Sequence, residues 1–96
     1  MSVTSLRNSF ARGQIINRLC ASLRDADTRR RFCSNEEAYC LLFGLKREER
    51  HAIKDRDFVT LIEMGAHVAE LDALAALSGL STLEALRLRR GLRILE

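Results

Sequence analysis

Few residues in this chain of 96 have the type and spacing that chemistry demands. Glu63, His67 and Glu70 come nearest. They stand at i, i+4 and i+7, so on one unbroken helix they would share a face and could bridge a metal ion. Two features weaken that reading. The mononuclear iron arrangement of two His and one carboxylate needs a second histidine, and His51 lies sixteen residues earlier. Gly65 also falls inside the spacing, where it invites a break. The favoured reading is a histidine in a hydrogen-bonded turn between two exposed acids. Nucleophilic catalysis has less to work with. Cys20, Cys33, Cys40 and the serines have no paired His motif, and no glycine-rich loop marks a nucleotide site. The residues assign no catalytic, cofactor-binding or metal-binding group to this chain, and an autonomous enzyme is not expected.

One binding motif remains. Leu74-Ala75-Ala76-Leu77-Ser78-Gly79-Leu80-Ser81, followed by Ala85 and Leu88, fits a helix-turn-helix template with Arg87, Arg89 and Arg90 on its second helix. Any tight helical hairpin needs the same small residue and Gly. Bases are read from the start of a recognition helix, where Glu84 stands instead. The net charge of +3 adds little pull toward nucleic acid. A DNA-binding or adaptor domain is therefore the alternative reading, not the leading one. The Arg29–Arg31 cluster and the C-terminal arginines read as solvated helix faces.

The elements that must position these residues are helical. There is no Pro, and Ala, Leu, Arg and Glu dominate. Three cysteines without a C-x-x-C suggest reduced thiols and a cytoplasmic location, Cys20 and Cys40 being buried. No apolar run reaches the roughly 20 residues of a membrane span. Residues 1–12 read as a flexible N-terminal arm and 13–96 as a single domain. From Gly13, the spacing of Ile15, Ile16, Leu19, Cys20 and Leu23 predicts a helix ending near Asp25. Asp27 would cap a short helix anchored by Phe32. A Ser34–Glu37 capping box would start the next, carrying Ala38, Leu41 and Leu42 inward and ending at Gly44. Arg47 to Lys54 reads as a helix with Ala52 and Ile53 inside. Asp55 or Asp57 caps another with Phe58, Leu61 and Ile62 inward. Gly65 allows a close crossing or a break. Val68, Leu71, Leu74, Ala75 and Leu77 form a stripe closed by Gly79. Ser81 with Glu84 opens a last helix showing Ala85, Leu88, Leu92 and Leu95. The fold class predicted is all-α, a compact orthogonal bundle of about five to six short helices.

Glu36-Glu37 before Tyr39, the L-x-x-E-E-R run of Leu45, Glu48, Glu49 and Arg50, Asp57 opening a helix, and Leu61 four residues before Gly65 come in a particular order. Together with Asn17-Arg18-Leu19-Cys20 and Arg31-Phe32, that order resembles the small, or alpha, subunit of the protocatechuate 4,5-dioxygenase type of extradiol ring-cleavage enzymes, the LigA-like domain. The resemblance covers about three-quarters of the chain. It implies a non-catalytic subunit that packs on a larger catalytic beta subunit, with Fe(II) held there and not here, and that shapes the active-site entrance for a catechol-type substrate. Tyr39, Phe43, Phe58 and His67 are the candidate lid or partner contacts it implies. Alpha subunits of the protocatechuate type are longer between the apolar helix and the last one, whereas here Leu77-Ser78-Gly79-Leu80-Ser81 connects directly. Protocatechuate, gallate and an aminobiphenyl-diol all stay open as substrates. A homodimer through Leu88, Leu92 and Leu95 is the other association the sequence suggests.

Overall fold

Strong helix formers punctuated by glycine and by Asp, Asn and Ser caps divide this chain into short helices. A computed structural model describes the backbone of residues 3–95 and the side chains of residues 12–88. Among the described residues there are seven α-helices and one 3-10 turn, with no strand. They are α1 (Val3–Ser22), α2 (Ala26–Ser34), α3 (Glu36–Leu42), α4 (Arg47–Lys54), α5 (Phe58–Glu63), α6 (Val68–Ala75), the 3-10 turn Ala76–Ser78, and α7 (Thr82–Leu95). The all-α class holds, and the helix count runs slightly above the expected five to six. None of the described helices is long and apolar enough to cross a membrane. The side chains of the arm expected over residues 1–12 fall almost wholly outside the described residues, as do those of Leu92 and Leu95.

Capping side chains set most boundaries. Asp25 Oδ2 accepts from the Thr28 N–H at 3.3 Å, Asn35 Oδ1 from Ala38 at 3.1 Å and Asp57 Oδ1 from Thr60 at 3.3 Å. Two expected caps are thereby corrected. Asp27 lies inside α2, where it pairs with Arg30, and Asp25 is the cap. Ser34 also belongs to α2: its hydroxyl donates back to the Arg31 carbonyl at 2.9 Å, and Asn35 caps α3 in its place. The second capping box forms as expected. The Ser81 N–H donates to Glu84 Oε1 at 3.0 Å, and the Glu84 N–H donates to Ser81 Oγ at 3.1 Å. Gly44 and Gly79 end their helices at φ 77° and 76°, in the left-handed region that glycine enters without strain.

The core gathers Ile16, Leu19, Cys20 and Leu23 of α1 around Phe32, Tyr39, Cys40, Leu45, Ile53, Phe58, Leu61, Leu71 and Leu74. Helix α1 packs on α5 and α6, and α7 closes over the same pair, while α2, α3 and α4 follow one another. Gly65 serves both purposes expected of it. At φ 104° it ends the α5 segment, and its backbone touches Gly13 so closely that a Cβ added at Gly13 would lie 2.3 Å from the Gly65 carbonyl oxygen.

One expectation is reversed. Ala38, Leu41 and Leu42 do not point inward; all three are exposed, and Tyr39 and Cys40 are the buried residues of α3. The helix is apolar on two sides, and the aromatic side wins because it has partners waiting. Phe32 meets the Tyr39 ring edge-on at 5.6 Å, and Phe43 lies beside it at 5.3 Å. Val68 and Leu88 are likewise exposed despite their place in apolar stripes.

Candidate partner-facing site

Tyr39, Phe43, Phe58 and His67 are the residues whose positions matter most, and the fold deals with them differently. Tyr39 stands on the inner side of α3, and Phe43, the C-cap residue one turn on, packs against it. The Tyr39 hydroxyl sits 2.7 Å from Ser22 Oγ, and Ser22 donates its own proton to the Leu19 carbonyl at 2.6 Å. Tyr39 is therefore the donor of that bond, which ties α3 to the end of α1. Phe58 is buried at the start of α5, where it forms the floor of a groove of about 290 Å³ walled by Ala75, Leu80, Ala85, Leu86 and Leu88. His67 belongs to a different junction. It caps α6 from an exposed position, and its backbone N–H donates to Asn17 Oδ1 at 2.8 Å. The structure thus brings Tyr39 and Phe43 together, sets Phe58 in a separate groove, and gives His67 a turn-forming role at the α1–α6 contact.

Glu63, His67 and Glu70 do not share one helix face. Glu63 ends α5, His67 precedes α6, and Glu70 is drawn to Arg24 at 3.1 Å. Among the described residues no three His, Cys, Asp or Glu side chains converge on one point.

Arginines organise the acids instead. Between α3 and α4 lies a cleft of about 350 Å³ lined by Glu36, Glu37, Cys40, Arg50, Ile53 and Lys54. Glu37 accepts from Arg50 Nε at 2.9 Å, and the other side of the Arg50 guanidinium donates to the Leu45 carbonyl at 2.8 Å. Glu36 takes Arg56 in a two-pronged contact, both bonds 2.9 Å. Arg56 also donates to the Ile53 carbonyl at 2.6 Å and lies over the Phe32 ring at 5.6 Å. It does so from a left-handed backbone, φ 53°, which an arginine rarely adopts. Arg56 also lines the Phe58 groove, while its partner Glu36 lines the α3–α4 cleft.

Glu49 is the buried acid of the site, 1% exposed. Its Oε1 accepts from the Lys46 N–H at 2.9 Å at the start of α4, and its Oε2 faces Arg12 Nε of α1 at 3.3 Å. The buried thiols are held protonated. Burial, with Glu70 adding to it, pushes Cys20 up to about 12, and burial beside Glu36 and Glu37 pushes Cys40 up to about 11. Cys33 is exposed.

An all-helical fold is what the motif order from Glu36 to Gly65 led one to expect; the acid–arginine pairs and the aromatic cluster under α3 are added by the structure. The family model described as aromatic-ring-opening dioxygenase LigAB, LigA subunit, matches residues 16–96. The chain belongs to this family. Curated proteins and solved structures give no match. In this fold the residues that carried the resemblance hold helices in place. The acidic pair Glu36-Glu37 anchors α3 to Arg56 and Arg50, and the L-x-x-E-E-R run places Glu49 and Arg50 on α4. The family name also implies a LigB-type companion subunit.

Sequence reasoning singled out neither Arg56 nor the outward leucines of α3. For Arg56 a signal was present, an arginine between Asp55 and Asp57 at a helix junction. For Leu41 and Leu42 the signal was the unbroken apolar run from Ala38 to Phe43, too long for one face of a short helix.

Proposed function

We propose that this chain is the non-catalytic small subunit of a two-component extradiol ring-cleaving dioxygenase. It packs on a larger Fe(II)-containing catalytic subunit and shapes the entrance through which a catechol-type substrate reaches the iron. The observation that carries the reading is the LigA family match over residues 16–96. The state of the chain's own acids supports it. Glu36, Glu37, Glu49 and Glu70 each face an arginine, and Asp72 accepts from Thr82, so these carboxylates are engaged in holding the fold. The role left for the chain is positional: to cover apolar surface near the reacting centre and exclude water from it. In this reading Tyr39, Phe43 and Phe58 act by packing, as supports of the covering surface. His67, exposed at the α6 cap, offers a hydrogen bond at an edge.

The test is co-expression with the product of any neighbouring gene that encodes a large ring-opening dioxygenase subunit, followed by oxygen uptake with substituted catechols. A stable complex whose ring cleavage falls when this chain is left out is the expected result. Separate elution of the two chains, with activity unchanged by omission, would sink the reading.

A further inference from the structure

Helix α3 has a second apolar face that stays exposed among the described residues. At about 100° per residue, Ala38, Leu41 and Leu42 fall within an arc of about 100°, with Ala38 between the two leucines and the arc opposite Cys40. Leu41 is 54% exposed and Leu42 75%. Among the described residues the other large exposed apolar side chains, Val59, Val68, Leu83 and Leu88, are spread over α5, α6 and α7, with no two adjacent in sequence. Scattered residues of that kind are ordinary on a soluble surface. Three apolar residues on one exposed arc of a seven-residue helix are not.

The ridge is also held firmly. A helix of this length has no stability of its own. Its position is imposed by the Tyr39–Ser22 hydrogen bond, by Phe32 against Tyr39, and by the Glu36–Arg56 and Glu37–Arg50 pairs. Leucines presented on a fixed support lose little freedom when a partner covers them. At the same 100° per residue the exposed Glu37 falls about 40° beyond Leu41, at the edge of the ridge. An apolar centre with a charged border is the anatomy of a protein–protein contact.

We propose that Ala38, Leu41 and Leu42, with Glu37 at their edge, form the surface on which the catalytic subunit docks. The proposal rests on the small-subunit reading above and adds the place of contact. The occupant follows from the family: LigA is one component of a LigAB pair, so a chain of a second kind must find a surface on this one. The partner that fits offers an apolar hollow for two leucine side chains, with a basic group near Glu37.

The experiment compares the wild-type chain, the double variant L41A/L42A, the variant L42E and the control L83A, each co-expressed in full with that dioxygenase subunit. Circular dichroism confirms the fold, and sedimentation velocity gives the state of each chain alone. The expected result is a wild-type complex that weakens at least about thirtyfold in L41A/L42A, is lost in L42E, and changes less than about twofold in L83A. In the wild-type complex the amides of α3 should gain hydrogen-exchange protection, a readout that needs no variant. Wild-type binding undiminished in L41A/L42A and L42E, with α3 amides unprotected, overturns the docking site and leaves the small-subunit reading standing. No wild-type complex at all overturns both. A concentration-dependent dimer of the chain alone, dissociated by L42E, assigns the ridge to a second copy and overturns the stated occupant.

Discussion

Replacing Gly13 by alanine tests whether the crossing of α1 over the α5–α6 junction is set by contact between two backbones. A Cβ at Gly13 would stand 2.3 Å from the Gly65 carbonyl oxygen, 2.5 Å from its carbon and 2.9 Å from its Cα. These are backbone atoms, so no rotamer change relieves the clash, and α1 must withdraw by on the order of 1 Å to recover ordinary contact. Overpacking of that kind costs about 1–3 kcal/mol, and the lack of a flexible partner places it toward the upper end. Alanine returns about 1 kcal/mol as a better helix former. The net is a loss of about 1–2 kcal/mol, which for a domain of this size lowers Tm by about 5–15 °C. Thermal melts followed by circular dichroism measure it. A control is Gly44→Ala, where φ is 77° and nothing lies within 4 Å. There the loss is only the left-handed strain of about 1–2 kcal/mol, and α1 stays in place. Hydrogen exchange separates the two. The His67 amide, donated to Asn17 at 2.8 Å across the same crossing, should lose protection in Gly13→Ala and keep it in Gly44→Ala. A Gly13→Ala protein as stable as wild type, with His67 still protected, would refute the reasoning.

Arg56 gives a paired prediction. Arg56→Ala should destabilise by about 1–2 kcal/mol through loss of the part-buried contact with Glu36. Arg56→Gly should be milder by about 1 kcal/mol because the left-handed strain is relieved, and urea unfolding of both variants checks the order. Of the three cysteines, only Cys33 should react with a thiol reagent such as DTNB in the native protein at neutral pH. Cys20 and Cys40, pushed up to about 12 and about 11 by burial, should react only after unfolding, so the titre should rise from one to three in guanidinium. Asp72 is held below its ordinary value by the Thr82 N–H, which donates to it at 2.8 Å, and by the Thr82 hydroxyl. A lowered folded-state pKa contributes stability above the unfolded value, and that contribution is lost as pH falls through the folded one. Tm measured against pH should therefore decline less steeply below the ordinary carboxylate range in Asp72→Ala than in wild type, and equal slopes would count against it.

Where one local signal decides a boundary, the sequence was sufficient. Arg47 to Lys54 is a helix because Lys54 is followed by a polar Asp55-Arg56-Asp57 turn and Leu45-Lys46 precedes it. Gly44 and Gly79 close helices because few other residues take a left-handed position without strain. The failures occur where two residues compete for one role. Ala26 separates Asp25 from Asp27, and Ser34 adjoins Asn35. Either member of each pair could cap, and the choice falls to the one whose helix can pack Phe32 or Tyr39 inward. The burial of Glu49 had no local sign either, because its partner Arg12 comes from 37 residues earlier in the chain. Family membership was legible from motif order, since Glu36, Glu37, Glu49 and Arg50 are fixed by contacts whose spacing the fold imposes.

The reversal at α3 follows from the same competition, played out between faces of one helix. Burying Leu41 and Leu42 would gain about 1.5–3 kcal/mol apiece, a large fraction of what holds a domain of this size together. The chain forgoes that gain because rotating α3 to capture it would turn Tyr39 and Phe43 to solvent, break the Tyr39–Ser22 bond and part Glu36 from Arg56. Both acids sit in the first turn of α3, and their arginines come from α4 and from the turn after it, so the ion pairs fix the rotation of the helix as well as its place. An apolar run read from one chain says only that both faces of α3 are to be kept from water. Which face the chain covers itself is decided by Phe32, Ser22, Arg50 and Arg56, and the other stays exposed among the described residues.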